Sequence, residues 1–477
     1  MHCCRPPRRR VLGLLAAAAV LPVLGSARGG VAHAAGEPMW ARDLEVVTIT
    51  DTSVIVTWAT VSAVRVDDHG MPLPLAADTE LRLAPADSPT APRVVIHEDV
   101  PTPFHYAEVH GLEPGREYRF EAYSNGLRAA PTLLATGRPG VPESTGRVTT
   151  LVPPPGRLLR TIALSNDVHY GEEFSGIVAA GLPPGFRQDP GLLPYPEVML
   201  TAMLADLRAA DRDADHLVVA GDLTDEASAQ DSTAVRAMLD GWGGAGTDYF
   251  VSRGNHDRPH VGAAYAGCSV LPSARDHHDC WGDVFAPRQV MRSFDLGGLR
   301  LLSVDTTAVD GSGGVVEPAQ MAQIRDSLRA DPDRPTLVFG HHPVTAEAGL
   351  TNVAGPSFVL NQPDSRQLQD LYARAPGVFL HHAGHTHRNR RTRPDTAAAV
   401  EFLEVGAVKE YPGGYSLLRV YEGGYTVNFY KTRADDARRW SQRSRGEFLG
   451  QMPEYTLGTA EDRNHVVLRD LTGLVAA

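Results

Sequence analysis

Short runs rich in Asp, His and Asn occur at five places in the middle of the chain, each directly after a run of apolar residues. Carboxylate, imidazole and amide groups are the ligands that divalent Mn, Fe and Zn take in proteins. Two such metals ~3.5–4 Å apart need a bridging anion and further ligands around it. The five runs supply those ligands and therefore predict a binuclear metal site. They are Asp167-Val168-His169, Gly221-Asp222, Gly254-Asn255-His256-Asp257, Gly340-His341-His342-Pro343 and Gly384-His385-Thr386-His387.

Strands and helices alternate in the sequence around these motifs, which predicts an α/β fold. The predicted strands that precede the motifs cover residues 161–165, 216–220, 249–252, 336–339 and 378–381. Because α/β folds place their ligand sites beyond the carboxyl ends of the strands, we expect the five motifs to meet in space.

In this order, the motifs resemble those of the calcineurin-like metallophosphoesterase superfamily. The resemblance implies a four-layer α-β-β-α sandwich and two metal ions, with the pattern His, any residue, Pro favouring His341 over His342 as a ligand. Asp222 suits the position between the metals, because its carboxylate offsets part of their charge and can give one oxygen to each. The resemblance assigns Asp167, His169, Asp222 and His387 to the first metal and Asp222, Asn255, His341 and His385 to the second.

The resemblance also implies hydrolysis of a phosphoester bond, with a hydroxide held between the metals as the nucleophile. We predict that His256 is the general acid, because it follows the ligand Asn255 and an imidazole with a pKa near ~6.5 gives up a proton readily. Asp257 is expected to orient that ring or to raise its pKa. Arg253 and Arg258 flank the motif, either as phosphate contacts or as solvated side chains.

At two positions the sequence differs from the motifs of purple acid phosphatases, one group within this superfamily. Purple acid phosphatases carry a tyrosine three residues after the bridging aspartate and lack the histidine of the first motif, whereas this chain has Asp225 and His169 at those positions. The sequence is therefore similar to exported actinobacterial metallophosphoesterases of a general type.

The first part of the chain is predicted to be all-β. Alternation over residues 52–58 places Val54, Val56 and Trp58 on one face, and residues 112–120 resemble the tyrosine corner of a fibronectin type III sandwich. Similar sandwiches precede the catalytic domain in purple acid phosphatases. The predicted division is residues 1–35 as an export signal, 40–137 as the sandwich, 138–158 as a Pro/Gly-rich linker, 159–432 as the catalytic domain and 433–477 as a C-terminal helix and tail.

Residues 1–35 have the basic and apolar regions of an export signal, with a small-residue cleavage site after Ala34. The pair Arg8-Arg9 resembles a twin-arginine signal, and the alternative is an ordinary secretion signal. We expect an exported protein, extracellular or associated with the cell envelope, that has no membrane anchor after cleavage.

The cleaved protein would keep two cysteines, Cys268 and Cys280. In an exported protein they are expected to form a disulfide, with two free thiols or a zinc ligand pair as the alternatives.

The formal net charge of −12 argues against a nucleic-acid partner, because binding a polyanion depends on clustered Lys and Arg. The leading prediction is a hydrolase of small phosphomonoesters or phosphodiesters that uses two divalent or trivalent ions of Mn, Fe or Zn. One alternative is a nucleotide-directed hydrolase, either a nucleotidase or a cyclic-nucleotide phosphodiesterase. Another is a surface binding protein with a relict metal site. The substrate, the metals and the oligomeric state stay open.

Overall fold

The computed structural model describes residues 36–132, 135, 138, 140–176, 185–447 and 453–477. The predicted export signal at residues 1–35 lies outside this range. None of the described helices is long and apolar enough to cross a membrane.

The N-terminal region consists of two antiparallel sheets packed on a shared core. Its strands are β1 (Met39–Ile49), β2 (Ser53–Val66), β3 (Pro72–Pro74), β4 (Ala77–Pro85), β5 (Arg93–Thr102), β6 (Phe104–His110), β7 (Glu117–Ser124), β8 (Leu127–Arg128) and β9 (Arg147–Thr149). In the first sheet, β2 pairs with β1, β3 and β6. The second has the order β5-β4-β7-β8, with β9 also on β7. The strand β9 lies within the segment predicted as a linker.

Alternate side chains of β2 pack into two different hydrophobic cores. Val54, Val56 and Trp58 point into the core of the N-terminal sheets, as predicted. Ile55 points the other way and packs into the core of the catalytic region. Tyr118 accepts a hydrogen bond from the backbone N–H of Glu113 at 2.9 Å, which is the bond of a tyrosine corner. The N-terminal sheets therefore pack directly against the catalytic region.

The catalytic region is built on two six-stranded mixed sheets. Its strands are β10 (Leu158–Ser165), β11 (His216–Ala220), β12 (Tyr249–Ser252), β13 (His260–Val261), β14 (Val270–Leu271), β15 (Ala274–His278), β16 (Arg292–Leu296), β17 (Leu299–Ser303), β18 (Thr336–Phe339), β19 (Val378–Ala383), β20 (Arg390–Thr392), β21 (Glu401–Glu404), β22 (Gly414–Tyr421), β23 (Gly424–Lys431) and β24 (Asn464–Leu468). The sheet orders are β12-β11-β10-β22-β23-β24 and β16-β17-β18-β19-β21-β20. Since β24 completes the first sheet, the segment predicted as a tail contributes an edge strand to the catalytic fold.

The described helices cover the outer faces of these sheets or connect their strands. They are α1 (Pro142–Thr145), α2 (Tyr195–Leu207), α3 (Ala229–Trp242), α4 (Cys280–Val284), α5 (Pro318–Ala330), α6 (Ala346–Thr351), α7 (Gln362–Ala373), α8 (Asp435–Ser444), α9 (Pro453–Leu457) and α10 (Ala460–Arg463), with short 3-10 turns at Ala263–Tyr265 and Asp395–Ala397.

Alternate side chains of the second sheet enter two different cores. Leu301 and Phe339 pack into the core shared with the first sheet, together with residues of α2 and α3. Leu302 and Val338 pack into a second core with residues of α5 and α7. Strands that are buried on both faces consist of nearly continuous apolar residues, and this pattern allowed them to be predicted from the sequence. The layer order is α-β-β-α, as predicted.

A small three-stranded sheet of order β13-β15-β14 follows β12. Cys268 and Cys280 form a disulfide across it, with their Cα atoms 4.9 Å apart. Of the three alternatives left open by the sequence, the structure shows the disulfide.

Candidate metal centre

The predicted ligands stand on the loops that follow five strands. Backbone hydrogen bonds join these loops, because Asp167 N donates to Gly221 O and Gly384 N donates to His341 O, each at 3.0 Å. The loops therefore converge at one edge of the two sheets. In the first sheet the ligands are Asp167 and His169 after β10, Asp222 after β11 and Asn255 after β12; in the second they are His341 after β18 and His385 and His387 after β19.

One group of predicted ligands consists of Asp167, His169 and His387, whose ligand atoms all lie within 4.8 Å of one another. Asp167 Oδ1 is 3.2 Å from His387 Nε2 and 3.8 Å from His169 Nε2. We call this group the first cluster.

A second group consists of Asp222, His341 and His385. His341 Nε2 lies 3.0 Å from each of three atoms: Asp222 Oδ2, Asn255 Oδ1 and His385 Nδ1. The other ring nitrogen, Nδ1, donates to Ala220 O at 2.8 Å, which turns Nε2 towards the ligands. We call this group, with Asn255, the second cluster.

His342, the alternative to His341, points elsewhere. Its Nδ1 lies 2.7 Å from Thr306 Oγ1, and its Nε2 donates to Ser312 O at 3.0 Å. Both ring nitrogens are therefore engaged outside the two clusters.

Asp222 connects the two clusters. Its Oδ2 is 3.4 Å from His169 Nε2 of the first cluster and 3.0 Å from His341 Nε2 of the second. Its Oδ1 accepts a hydrogen bond from His256 N at 2.8 Å. A single oxygen of Asp222 therefore faces both clusters and a backbone amide takes the other, which differs from the expected arrangement of one oxygen for each metal.

The donor set fits a pair of metal ions. Ligands ~2.0–2.2 Å from a common ion are separated from one another by about 3–4 Å, and the nearest separations here are 3.0–3.8 Å. Neither ring nitrogen of the buried His169 has a hydrogen-bond partner of normal geometry among the described residues. Buried polar atoms without a partner are rare in proteins, so the site is built for a group that these side chains bind.

Backbone strain is concentrated at the predicted ligands. Ten non-glycine residues in the described part of the chain have a positive φ, and five of them are predicted ligands. Each such conformation costs on the order of 1–3 kcal/mol and persists where the surrounding structure enforces it, as happens at active sites. The five are Asp167, His169, Asp222, His385 and His387.

Two glycines allow the loops to approach so closely. A Cβ on Gly254 would overlap Asp222 Oδ1, and one on Gly221, where φ is 87°, would lie 2.8 Å from the Cβ of His341. The glycines of these motifs are therefore required by the packing of the ligand loops.

The predicted general acid, His256, lies beside the first cluster, with its ring centroid 4.3 Å from that of His169. Its Nδ1–H donates to the backbone oxygen of Asp225 at 2.7 Å and is 3.3 Å from the carboxylate of the same residue. Burial lowers the pKa of His256, but the charge of Asp222 and the contacts with Asp225 outweigh it and raise the pKa to about 9. Metal cations beside the ring would lower this pKa, since like charges disfavour protonation.

Asp257 does not have the role expected for it. Its carboxylate turns away from the His256 ring and accepts hydrogen bonds from Leu223 N, Thr224 N, Thr224 Oγ1 and Gly254 N at 2.8–3.0 Å. Asp257 therefore joins the loop after β11 to the loop after β12, and Asp225 is the residue that orients the ring. His256 and Asp257 lie in a turn, closed by a hydrogen bond from Asp257 N to Gly254 O at 3.1 Å, in which the two side chains point in different directions. Adjacency in sequence therefore misled the prediction.

Arg253 is not available to a phosphate. Its side chain is 1% exposed and makes two hydrogen bonds to the carboxylate of Asp279, at 2.6 and 2.9 Å. It also packs over the ring of Trp281. Arg258 donates to Asn255 O at 2.7 Å. Both arginines support the loop after β12, and Arg253 ties it to the disulfide-bonded segment.

Sequence reasoning missed a buried charged group behind the first cluster. Glu410 Oε1 accepts a hydrogen bond from His387 Nδ1 at 2.7 Å, and Lys409 Nζ contacts the carboxylate of Glu172 at 2.6 Å. The available signal was a Lys-Glu pair inside the apolar run of residues 405–412. Charged residues are almost never buried without partners, so such a pair indicates a built contact.

Residues 160–389 match the family model described as "Calcineurin-like phosphoesterase". This range contains all seven predicted ligands and His256. No curated protein matches the sequence.

Several solved structures are similar to this one. A dimetal phosphatase from Danio rerio has 14% identity, covers 58% of this chain and 98% of its own, and gives a TM-score of 0.41. A purple acid phosphatase from yellow lupin (Lupinus luteus) has 16% identity, 82% and 72% coverage, and a TM-score of 0.41. A structure named PhoD has 11% identity, 82% and 85% coverage, and a TM-score of 0.35.

Proposed function

We propose that this metallophosphoesterase, with its hydrolase domain at residues 160–389, cleaves small phosphomonoesters or phosphodiesters with a pair of metal ions bound to the two clusters. The observation that carries the proposal is the position of Asp222. One of its oxygens faces a histidine of each cluster at 3.0–3.4 Å, as the shared ligand of two neighbouring ions requires.

The seven ligands would hold Mn, Fe or Zn, since imidazole and oxygen donors suit all three. When bound, the metal pair supplies Lewis acidity for the phosphoester and a water acidic enough to act as a nucleophile at neutral pH. The chain holds these ligands in place through the strained loops and the glycines at 221 and 254.

His256 is positioned to give a proton to the leaving oxygen. Because its Nδ1–H is held by the backbone oxygen of Asp225, Nε2 is the atom that carries the transferable proton. Its backbone N–H binds Asp222 Oδ1, so the ring is fixed relative to the shared carboxylate. Positioned proton donors of this kind contribute about 10²–10⁴-fold to rate.

The proposal is tested by metal analysis of the purified chain and by its hydrolysis of 4-nitrophenyl phosphate and bis(4-nitrophenyl) phosphate. We expect two metal ions per chain, loss of hydrolysis after chelation, and recovery on addition of Zn²⁺ or Mn²⁺. The ratio of the two rates gives the preference between monoesters and diesters. A folded chain that binds no metal and cleaves neither compound would overturn the proposal.

We also propose that the protein works outside the cytoplasm. The disulfide between Cys268 and Cys280 supports this, because disulfides persist in oxidising compartments. Replacing Arg8-Arg9 with Lys-Lys should stop export if the twin-arginine route is used. Undisturbed export of that variant would favour the general secretory route, and retention of the unchanged chain in the cytoplasm would contradict the proposal.

A further inference from the structure

Residues 406–413, between β21 and β22, form a loop directly behind the first cluster. We call it the Lys409–Glu410 loop. Val408 N donates to Asn166 O and Lys409 N donates to Asp167 O, each at 3.1 Å. Although Lys409 and Glu410 carry charges, each is only 4% exposed. The loop therefore places two buried charges against the backbone of the first metal motif.

Both oxygens of Glu410 have a defined partner. Oε1 accepts the Nδ1–H of His387 at 2.7 Å, and Oε2 accepts a hydrogen bond from Ser175 Oγ at 2.5 Å. The other ring nitrogen of His387, Nε2, faces Asp167 Oδ1 at 3.2 Å. With its proton held at Nδ1, the ring turns the lone pair of Nε2 into the first cluster.

The loop is anchored from the side away from the ligands. Trp440 Nε1 on α8 donates to Lys409 O at 2.6 Å, and Tyr411 N donates to Ser444 Oγ at 2.9 Å. Tyr411 OH donates to the buried carboxylate of Glu45 on β1 at 2.7 Å. The position of Glu410 is thus set by α8 and by the N-terminal sheets.

The charge of Lys409 offsets part of the negative charge in this buried region. Its Nζ contacts both oxygens of Glu172 at 2.6–2.7 Å and lies 3.5 Å from Glu410 Oε2. Buried carboxylates are costly unless they are paired and hydrogen-bonded, and Glu172 and Glu410 both have such partners. A third buried carboxylate, Glu447, also interacts with Lys409 and Glu410, and the pKa of Glu447 is raised well above its usual value by burial and by the charge of Glu410.

We propose that Glu410 is a positioning residue for the metal ligand His387, fixing its tautomer and orientation and strengthening Nε2 as a donor to the metal of the first cluster. This inference rests on the proposed function, because it takes His387 as a ligand. Carboxylates that accept the outer N–H of a ligating histidine act in this way in many metal sites. The N-terminal sheets then support the metal centre through Glu45, Tyr411 and the loop.

The test compares Zn²⁺ binding by the unchanged chain and by Glu410→Gln, through equilibrium dialysis against a competing chelator. We expect one of the two ions to bind 10–100-fold more weakly in the variant, the range that such outer contacts typically give. Glu401→Gln is the matched control, since Glu401 is a buried carboxylate that accepts from His465 at the same distance, 2.7 Å, without touching a predicted ligand. Its Zn²⁺ affinity should equal that of the unchanged chain.

A double substitution separates positioning from general loss of structure. In a His387→Ala background, Glu410→Gln should cause no further loss of Zn²⁺ affinity, because no ring remains to be positioned. A further loss as large as that in the unchanged background would overturn the inference.

If the Glu410→Gln chain does not fold, Glu410→Asp carries the test, because it keeps the charge but is one methylene too short to hold both contacts. The expected result is again weaker binding of one ion. Unchanged Zn²⁺ affinity in a folded Glu410 variant would overturn this inference alone. Absence of Zn²⁺ binding by the unchanged chain would instead overturn the proposed function.

Discussion

The two ligand clusters differ in what holds their histidines from outside. In the first cluster, the outer nitrogen of His387 donates to the carboxylate of Glu410 at 2.7 Å. In the second, the outer nitrogens of His341 and His385 donate to backbone carbonyl groups at 2.8 and 2.5 Å. A substitution can remove a carboxylate but leaves a backbone carbonyl in place. The first cluster should therefore depend on side chains outside the ligand set, and the second on the course of the backbone.

The electrostatic surroundings of the two clusters differ in the same sense. Burial lowers the pKa of His387, but the charges of Asp167 and Glu410 outweigh it and hold the pKa well above its usual value. Burial also lowers the pKa of His385, and two neighbouring imidazoles lower it further. At His387 the two carboxylates thus outweigh burial, whereas at His385 burial and the neighbouring imidazoles outweigh the charges of Asp222 and Asp167.

The largest expected effect comes from the residue that both clusters share. In Asp222→Asn, the neutral amide no longer offsets the charge of the two ions, so we expect fewer than one metal per chain and hydrolysis near the background rate. Metal analysis and rates with both nitrophenyl esters check this, with circular dichroism to establish that the variant folds. Two tightly bound metals in Asp222→Asn would contradict the shared position of this carboxylate.

The next effect concerns His256, the proposed general acid beside the first cluster. His256→Ala should slow esters with poor leaving groups by about 10²–10⁴-fold and esters with good leaving groups far less, because only the former need a proton. Asp225→Asn should act in the same direction but more weakly, since the backbone oxygen that holds Nδ1 remains. Rates for a series of aryl phosphates check both variants. Equal slowing across the series would remove His256 from the acid role.

A weaker effect on metal binding is expected for Phe358, whose backbone oxygen accepts the hydrogen bond from the outer nitrogen of His385 in the second cluster. The side chain of Phe358 stacks on the ring of His385, with centroids 3.8 Å apart, but only its backbone oxygen accepts the hydrogen bond. Phe358→Ala should therefore lower stability by about 0.5–1.5 kcal/mol and leave the Zn²⁺ affinity nearly unchanged. Competitive dialysis beside Glu410→Gln measures the contrast. A loss of affinity as large as that in the Glu410 variant would abolish the distinction between the clusters.

The fold and the convergence of the candidate ligands at one edge of the two sheets could be predicted, because each motif directly follows a buried strand. Residues 216–220, 249–252 and 336–339 form strands with the bounds that the apolar runs indicated. The outer contacts could not be predicted in this way, since they join residues far apart in sequence. Glu410 lies 23 residues from His387, and Asp225 lies 31 residues from His256.

Asp225 and Asp257 show why contacts within the loops could not be predicted from the sequence. The sequence drew attention to Asp225 only because a tyrosine was missing there, and it favoured Asp257 because of its position next to His256. In the folded protein, Asp225 accepts the hydrogen bond from the His256 ring, and the Asp257 carboxylate accepts four hydrogen bonds from the loops after β11 and β12. The orientation of a side chain in an irregular loop depends on tertiary contacts that periodicity does not report.

The smallest effect on the metal centre is expected for Glu401 and His465, a carboxylate–histidine pair that contains no predicted ligand. Substitution of Glu401 should instead change the stability of the fold, and this change should depend on pH. Burial raises the pKa of Glu401, but His465 and Arg391 outweigh it and lower the pKa from 4.5 to about 2. A depressed carboxyl pKa stabilises the fold above the unfolded value and ceases to do so as the pH falls through the folded value. The charge of Glu401 should therefore contribute up to about 3 kcal/mol at pH 7, and this contribution should disappear between pH 4.5 and 2.

Thermal unfolding of the unchanged chain and of Glu401→Gln checks this, with metal removed by a chelator so that acid release of ions does not contribute. The variant should unfold up to about 3 °C lower at pH 7, and the difference should shrink as the pH falls below 4.5. A difference independent of pH would mean that packing, rather than the charge of Glu401, provides the stability. Glu401 and Glu410 both accept a hydrogen bond from a histidine at 2.7 Å. If Glu401→Gln changes only the stability and Glu410→Gln changes the Zn²⁺ affinity, the loss of affinity is due to the contact between Glu410 and the predicted ligand His387.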